Sequence, residues 1–176
     1  MINSINFRSL DCFKNIQESS IILLKENAEL LKYSIGRPIT TNQYIPQKVL
    51  ILISGQARFS LNTDLKSLSF RKLYKDSFIG LASLLRVKSC ELISASSEVI
   101  ALAIPDKIII KIYSEEISFK TWCDSQIEIS EAYEIAQTIF QNCPKKKLEI
   151  NEIVNIILDK SKLKTIENNS FYNKKD

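Results

Sequence analysis

The sequence predicts a mainly β domain with flanking helices, a sandwich or roll carrying helical segments before and after it. Three observations lead there. Between Val49 and Ile104, short apolar runs recur at intervals of about ten residues with turn residues between them. Ahead of Leu31 and beyond Pro105 the apolar positions switch to helical spacing. Glycine is scarce, with three in 176 residues, and all three fall in the β part, where each should mark a geometric need.

In residues 10–31, Phe13, Ile16, Ile21, Leu23, Leu24, Leu30 and Leu31 are mostly helically spaced, and Glu18-Ser19 marks a start in mid-segment. This predicts one or two short helices leading into a strand near 30–35. Ile35-Gly36-Arg37-Pro38 then forces a turn, because glycine permits positive φ and proline holds its neighbour extended. The branched run 49–53 reads as a strand ending at Ser54-Gly55. Ala57, Phe59 and Leu61 alternate with Arg58 and Ser60, so the pair reads as a hairpin with Gly55 at the bend. Asn62-Thr63-Asp64 turns the chain again. Leu68, Phe70 and, after a slip in phase, Leu73 make the next strand, and 99–104 makes another that Pro105 closes.

After Pro105, Asp106 is placed to cap a helix carrying Ile108, Ile109, Ile110 and Ile112, and a second helix runs from about Glu115 through Trp122. Residues 125–142, from Ser125 to Asn142, form a longer amphipathic helix that Cys143-Pro144 ends. Its apolar side either packs on its own domain or pairs two copies as a homodimer. Lys145 to Leu163 carries an apolar stripe between lysines, and 168–176 reads as frayed. The expected division is a β-roll with its helices over 1–143 and a basic helical tail or linker over 144–176.

Composition excludes several function classes. With 45% hydrophobic and 25% charged residues the chain has ordinary globular composition. It contains no histidine, which removes His-based metal sites and Ser-His-Asp or Cys-His catalysis. We expect no cofactor, no metal and no enzymatic activity. The four cysteines, Cys12, Cys90, Cys123 and Cys143, form no Cys-x-x-Cys unit and read as reduced. Net charge is +4, but residues 145–176 hold eight lysines against five acids, so the body carries about one excess positive charge. That is not the basic face of a nucleic-acid-binding domain, and no nucleic-acid partner is expected. The tail lysines read as a solvated face or, alternatively, as a surface drawn to anionic lipid. No apolar run approaches the roughly 18 residues of a membrane span, and no signal peptide is seen at the N-terminus. The expected location is the cytoplasm, with the cytoplasmic face of the inner membrane as its extension.

The chain is organised around residues 76–96. This stretch begins as a strand, breaks at Gly80, makes a short apolar turn carrying Arg86 and Lys88, and returns as a strand through Leu92. A glycine followed by one helical turn presents backbone N–H groups and nearby cations to an anion. The other reading is a connector that packs Leu81, Leu84 and Leu85 into the core.

This order of elements, with Tyr33-x-x-Gly36, Val49-Leu50-Ile51-Leu52-x-x-Gly55-x-Ala57-x-Phe59 and Leu73-x-x-Asp76-x-Phe78-Ile79-Gly80, resembles a cyclic-nucleotide-binding domain over about residues 8–142. The resemblance implies a double-stranded β-roll (jelly roll) followed by α-helices, with a phosphate-binding cassette entered at Gly80 and left at Ser94-Ala95. In that family the cassette reads Gly-Glu, a small apolar turn, then Arg and a small residue. The glutamate accepts from the ribose 2′-hydroxyl and the arginine pairs with the cyclic phosphate. Here Leu81 stands in the glutamate position, and the arginine position falls on Ser89 or Cys90. Arg86 and Lys88 are near enough to serve an anion, and Glu91 is near enough to neutralise one of them. Gly80, Leu81, Arg86, Lys88, Ser89, Cys90 and Glu91 are therefore the candidate ligand residues of a degenerate cassette. One unmade hydrogen bond to a charged group costs about 1.5 to 3 kcal/mol, so a nucleotide or other anionic small molecule is expected to bind weakly or not at all.

A narrower pattern, Ile79-Gly80-x-x-Ser83-Leu84-Leu85-Arg86-x-x-x-Cys90-Glu91-x-x-x-Ala95-Ser96, is similar to the N-terminal cyclic-nucleotide-binding-like domains of cyanobacterial peptidase-containing ABC exporters of the bacteriocin or toxin secretion type. That resemblance implies a regulatory or docking domain on the cytoplasmic side, ahead of the peptidase and membrane domains of an ATP-binding transmembrane transport protein that would be its partners, with this chain a fragment of the N-terminal region. The alternative is a truncated catabolite-activator-type transcription regulator. About thirty residues after Pro144, with no basic reading helix, are too few for its DNA-binding domain.

Overall fold

The computed structural model describes residues 5–62, 67–127, 129–142 and 149–160. Two short 3₁₀ turns, Phe7–Ser9 and Asp11–Phe13, precede helix α1 (Glu18–Asn27) and strand β1 (Glu29–Tyr33). The strands continue as β2 (Pro38–Thr40), β3 (Lys48–Ser54), β4 (Ala57–Asn62), β5 (Ser67–Leu73) and β6 (Phe78–Ile79). The short helix α2 (Leu81–Leu85) leads to β7 (Leu92–Ala95) and β8 (Val99–Pro105). Helices α3 (Asp106–Glu115), α4 (Ile117–Ser125), α5 (Ile129–Asn142) and α6 (Ile150–Lys160) follow.

The eight strands form two antiparallel four-stranded sheets, in the orders β1-β8-β3-β6 and β2-β7-β4-β5. This is the expected roll, but one expectation is overturned. β3 and β4 do not pair as a hairpin: β3 pairs with β6 and β8, and β4 with β5 and β7. Gly55, at φ +86°, carries the chain from one sheet to the other. The slip in phase expected before Leu73 is a bulge. Phe59 faces Arg71 and Ser60 faces Ser69, which leaves Phe70 as the extra residue. Strand β2 was not expected from the sequence; it pairs with β7 through Pro38–Ser94 and Thr40–Ile93. The expected turn at 62–64 lies mostly outside the described residues.

The pleat sends successive side chains to opposite faces, and β3 and β8 are buried on both. Val49 and Ile51 of β3 and Leu102 and Ile104 of β8 face a cluster that includes Phe7, Phe13, Ile21, Leu24, Ile109, Ile112 and Phe119. The intervening Leu50, Leu52, Ala101 and Ala103, on the opposite face, are also buried. The rings of Phe13 and Phe119 stack at 5.3 Å, and Phe78 lies 5.2 Å from Trp122. β6, which leads into Gly80, is thereby pinned to α4.

The helices follow the sequence with two adjustments. Asp106 is the first residue of α3 and not its cap; Pro105 holds that place, and Asp106 Oδ1 accepts from Lys107 N at 2.7 Å. The helix expected from Ser125 begins at Ile129, because Ser125 ends α4. Helix α1 lacks a capping side chain of its own. The buried Glu116, between α3 and α4, supplies one by accepting from Gln17 N at 3.1 Å and Ser20 Oγ at 2.5 Å. By packing, the chain divides into two compact units, Met1–Cys123 and Asp124–Asp176. In the second, α5 and α6 pack on one another. Among the described residues no helix is long and apolar enough to cross a membrane.

Candidate functional site

Residues 80–91 form a closed polar knot under a short helix. Gly80 takes φ +87° at the N-cap of α2 and has no side chain to offer the helix's first N–H groups. Glu91, which immediately precedes β7, does the capping. Its Oε1 accepts from Gly80 N at 2.9 Å, and its Oε2 accepts from Ser83 N at 3.1 Å and Ser83 Oγ at 2.8 Å. Ser83 is the third residue of the helix, whose N–H is the usual target of an N-cap oxygen. Glu91 is 5% exposed. The N–H groups that an anion would seek are therefore bound to an anion of the protein's own.

The segment 40–46 is held against the knot. Thr40 Oγ1 donates to Glu91 O at 3.0 Å, and Ser89 Oγ reaches both Thr41 O at 3.2 Å and Tyr44 O at 3.0 Å. A Cβ on Gly80 would stand 2.9 Å from Pro46 Cγ and 3.2 Å from Lys48 O, so only glycine allows this approach. Cys90 N donates to Ser83 Oγ at 3.3 Å. Leu81 is buried in the core cluster, while Leu84 and Leu85 pack against it half-buried. Arg86 caps α2 at its C-terminus, half-buried, and Lys88 is exposed. Between them Val87 is 79% exposed at φ +50°, a costly conformation for a β-branched residue. The structure thus brings Gly80, Cys90 and Glu91 together around Ser83, ties Ser89 to Thr41 and Tyr44, and turns Leu81 to the core.

Many solved structures are similar to this chain. The sensor domain of the transcriptional regulator DNR from Pseudomonas aeruginosa matches with a TM-score of 0.60 at 10% identity, over 80% of this chain and 91% of that one. A putative cyclic nucleotide-binding protein from Geobacter metallireducens matches at 0.54 and 11% identity, over 65% and 83%. A regulatory subunit of a cAMP-independent protein kinase A from Trypanosoma brucei, a mutant bound to cAMP in its A site, matches at 0.52 and 10%, over 65% of this chain. This chain spans about half of that subunit, 47%. The chain has the fold of a cyclic-nucleotide-binding domain. No family model and no curated protein matches the sequence.

Within this cyclic-nucleotide-binding fold, Ser83 and Thr40 are the residues that sequence reasoning left out of the site. Ser83 stood in the quoted pattern with Cys90 and Glu91, and that co-occurrence was the available signal. Thr40 carried none, since its role depends on a strand pairing across the roll.

Burial pushes the Glu91 carboxyl above its ordinary 4.5, against the hydrogen bonds from Gly80 and Ser83 that pull it down. A carboxyl raised in the folded state stabilises fully below its unfolded value and loses that contribution as pH rises through the folded one. Wild type should therefore exceed Glu91→Gln in unfolding free energy by more at pH 4 than at pH 7. Urea titrations at both values test this, and a gap that widens with pH would refute it.

Proposed function

We propose that the chain is a non-catalytic regulatory or docking domain built on the cyclic-nucleotide-binding roll, with a cassette closed to cyclic nucleotides. One observation carries the reading: the Glu91 carboxylate occupies the N–H groups of Gly80 and Ser83. A phosphate at the same donors would meet a like charge at about 4 Å, a repulsion of about 4 kcal/mol at an effective dielectric of 20. Expelling the carboxylate would also forfeit three hydrogen bonds. The Trypanosoma brucei mutant is bound to cAMP; here the same ligand faces an anion already in place.

The pattern from Ile79 through Ser83, Arg86, Cys90 and Glu91 to Ser96 supports placing this domain at the cytoplasmic N-terminal part of an ABC-type exporter. Two of its polar members, Ser83 and Glu91, bond to each other.

The test is thermal unfolding of the purified chain with cAMP and cGMP at millimolar concentration. We expect shifts below about 1 °C. A ligand at a hundred times its Kd adds about 2.7 kcal/mol, or roughly 5 to 10 °C for this length, and a rise of that size would overturn the closed cassette. In a second arm, titration with the peptidase domain of an exporter of that type should show saturable binding. Its absence up to about 100 μM, near −5.5 kcal/mol, would remove the exporter assignment.

A further inference from the structure

A second concavity lies beside the knot and shares none of its residues 80–91. It is a cleft of about 540 Å³ between β1, β2, the 41–47 loop and the start of β3. Leu31, Ile39 and Leu50 give it apolar walls, Tyr44 stands at its mouth, and Tyr33 and Lys48 supply polar groups. The volume is within the range of small-molecule sites, and an apolar cleft with a few convergent polar groups is their usual make-up.

The polar groups indicate what would fit. Tyr33 is half-buried, and its hydroxyl makes no hydrogen bond among the described residues. Burial raises its pKa while the nearby Lys48 charge lowers it, so the phenol stays protonated at neutral pH as a donor facing a cation. Lys48 pairs with Glu29, and both side chains are about half exposed, 45% and 50%. A pair that exposed contributes at most about 1 kcal/mol, so Lys48 can turn to another anion while Glu29 returns to water. Tyr44 is 64% exposed, yet its backbone is held by Ser89. The mouth thus presents a broad ring on a fixed main chain.

We propose that this cleft binds an amphipathic monoanion, its apolar body between Leu31, Ile39 and Leu50 and its acid group between the Tyr33 hydroxyl and the Lys48 ammonium. The site goes beyond the docking role and does not require the cassette. It differs chemically from a phosphate cradle, offering one mobile cation and a hydroxyl at the edge of an apolar slot.

The test uses a fused aromatic sulfonate, 8-anilinonaphthalene-1-sulfonate, as the probe on the full chain at pH 7, followed by fluorescence. We expect one saturable site. Ile39→Trp, which fills the slot, should weaken it at least tenfold, and Lys48→Met, a surface change that spares the core, about fivefold. cAMP at 1 mM should displace none of the probe. Each variant's thermal unfolding is recorded, and Lys48→Met serves if Ile39→Trp does not fold. Non-saturable fluorescence, an unchanged Kd in Lys48→Met, or displacement by cAMP would overturn the proposal. The last outcome would also place the ligand in the cassette, whereas failure of the first two leaves the closed-cassette reading standing.

Discussion

Replacing Glu91 with alanine is expected to destabilise the domain by about 3 to 5 kcal/mol. The side chain satisfies Gly80 N, Ser83 N and Ser83 Oγ in a place that is 5% exposed. Removing it leaves two backbone donors without an acceptor, and each buried orphan costs about 1 to 3 kcal/mol. The hydroxyl of Ser83 adds less, because Cys90 Sγ at 3.5 Å and Cys90 N remain beside it. Urea unfolding should show the loss, with Tm lower by roughly 10 °C. Glu91→Gln keeps an acceptor oxygen and should lose only about 1 to 2 kcal/mol. A loss under about 1 kcal/mol in the alanine variant would mean that water takes over the carboxylate's place, and the knot would no longer count as closed.

Gly55→Ala should be nearly as damaging, at about 3 to 4 kcal/mol, for a different reason. Its φ of +86° costs an L-residue about 1 to 2 kcal/mol. Its Cβ would also fall 2.0 Å from Glu98 O and 2.9 Å from Val99 Cα. Both obstacles are backbone at the entry to β8, so neither can rotate away. Gly36→Ala is the internal control. It has a similar φ of +80° and nothing within 4 Å of the added carbon, so it should show the conformational cost alone, about 1 to 2 kcal/mol. Equal losses at the two positions, compared by chemical denaturation, would show that the start of β8 yields to the methyl group.

The contrast between these residues also explains what was legible in advance. β3 and β8 were readable because a strand buried on both faces is a continuous branched run, and Val49 to Ile53 and Val99 to Ile104 are such runs. The change of sheet at Gly55 was not readable. An apolar run, a glycine and then alternation look the same whether the next strand folds back on the last or leaves it, and only the distant partners β6 and β8 decide. β2 escaped because three residues beginning with proline carry no period. The cassette's location was marked by Gly80 and the apolar turn after it. Its closure was not, because the sequence set Glu91 beside Arg86 and Lys88. Once α2 lacked a capping side chain, its unsatisfied N–H groups became the stronger claim on a carboxylate held in a dry site.

The order of strands also constrains when the domain can be completed. β8 lies between β1 and β3 and is paired along its length to both, so the first sheet has no continuous centre until residue 105 has been made. Helix α1 waits longer still, because the carboxylate that caps it belongs to residue 116. A nascent chain stopped short of β8 presents the apolar β1 and β3 with open edges, a state prone to pair with its neighbours. Such long-range closure places the roll among slow, high-contact-order folders. Everything through residue 116, just past the end of α3, must leave the ribosome before that first helix can be capped.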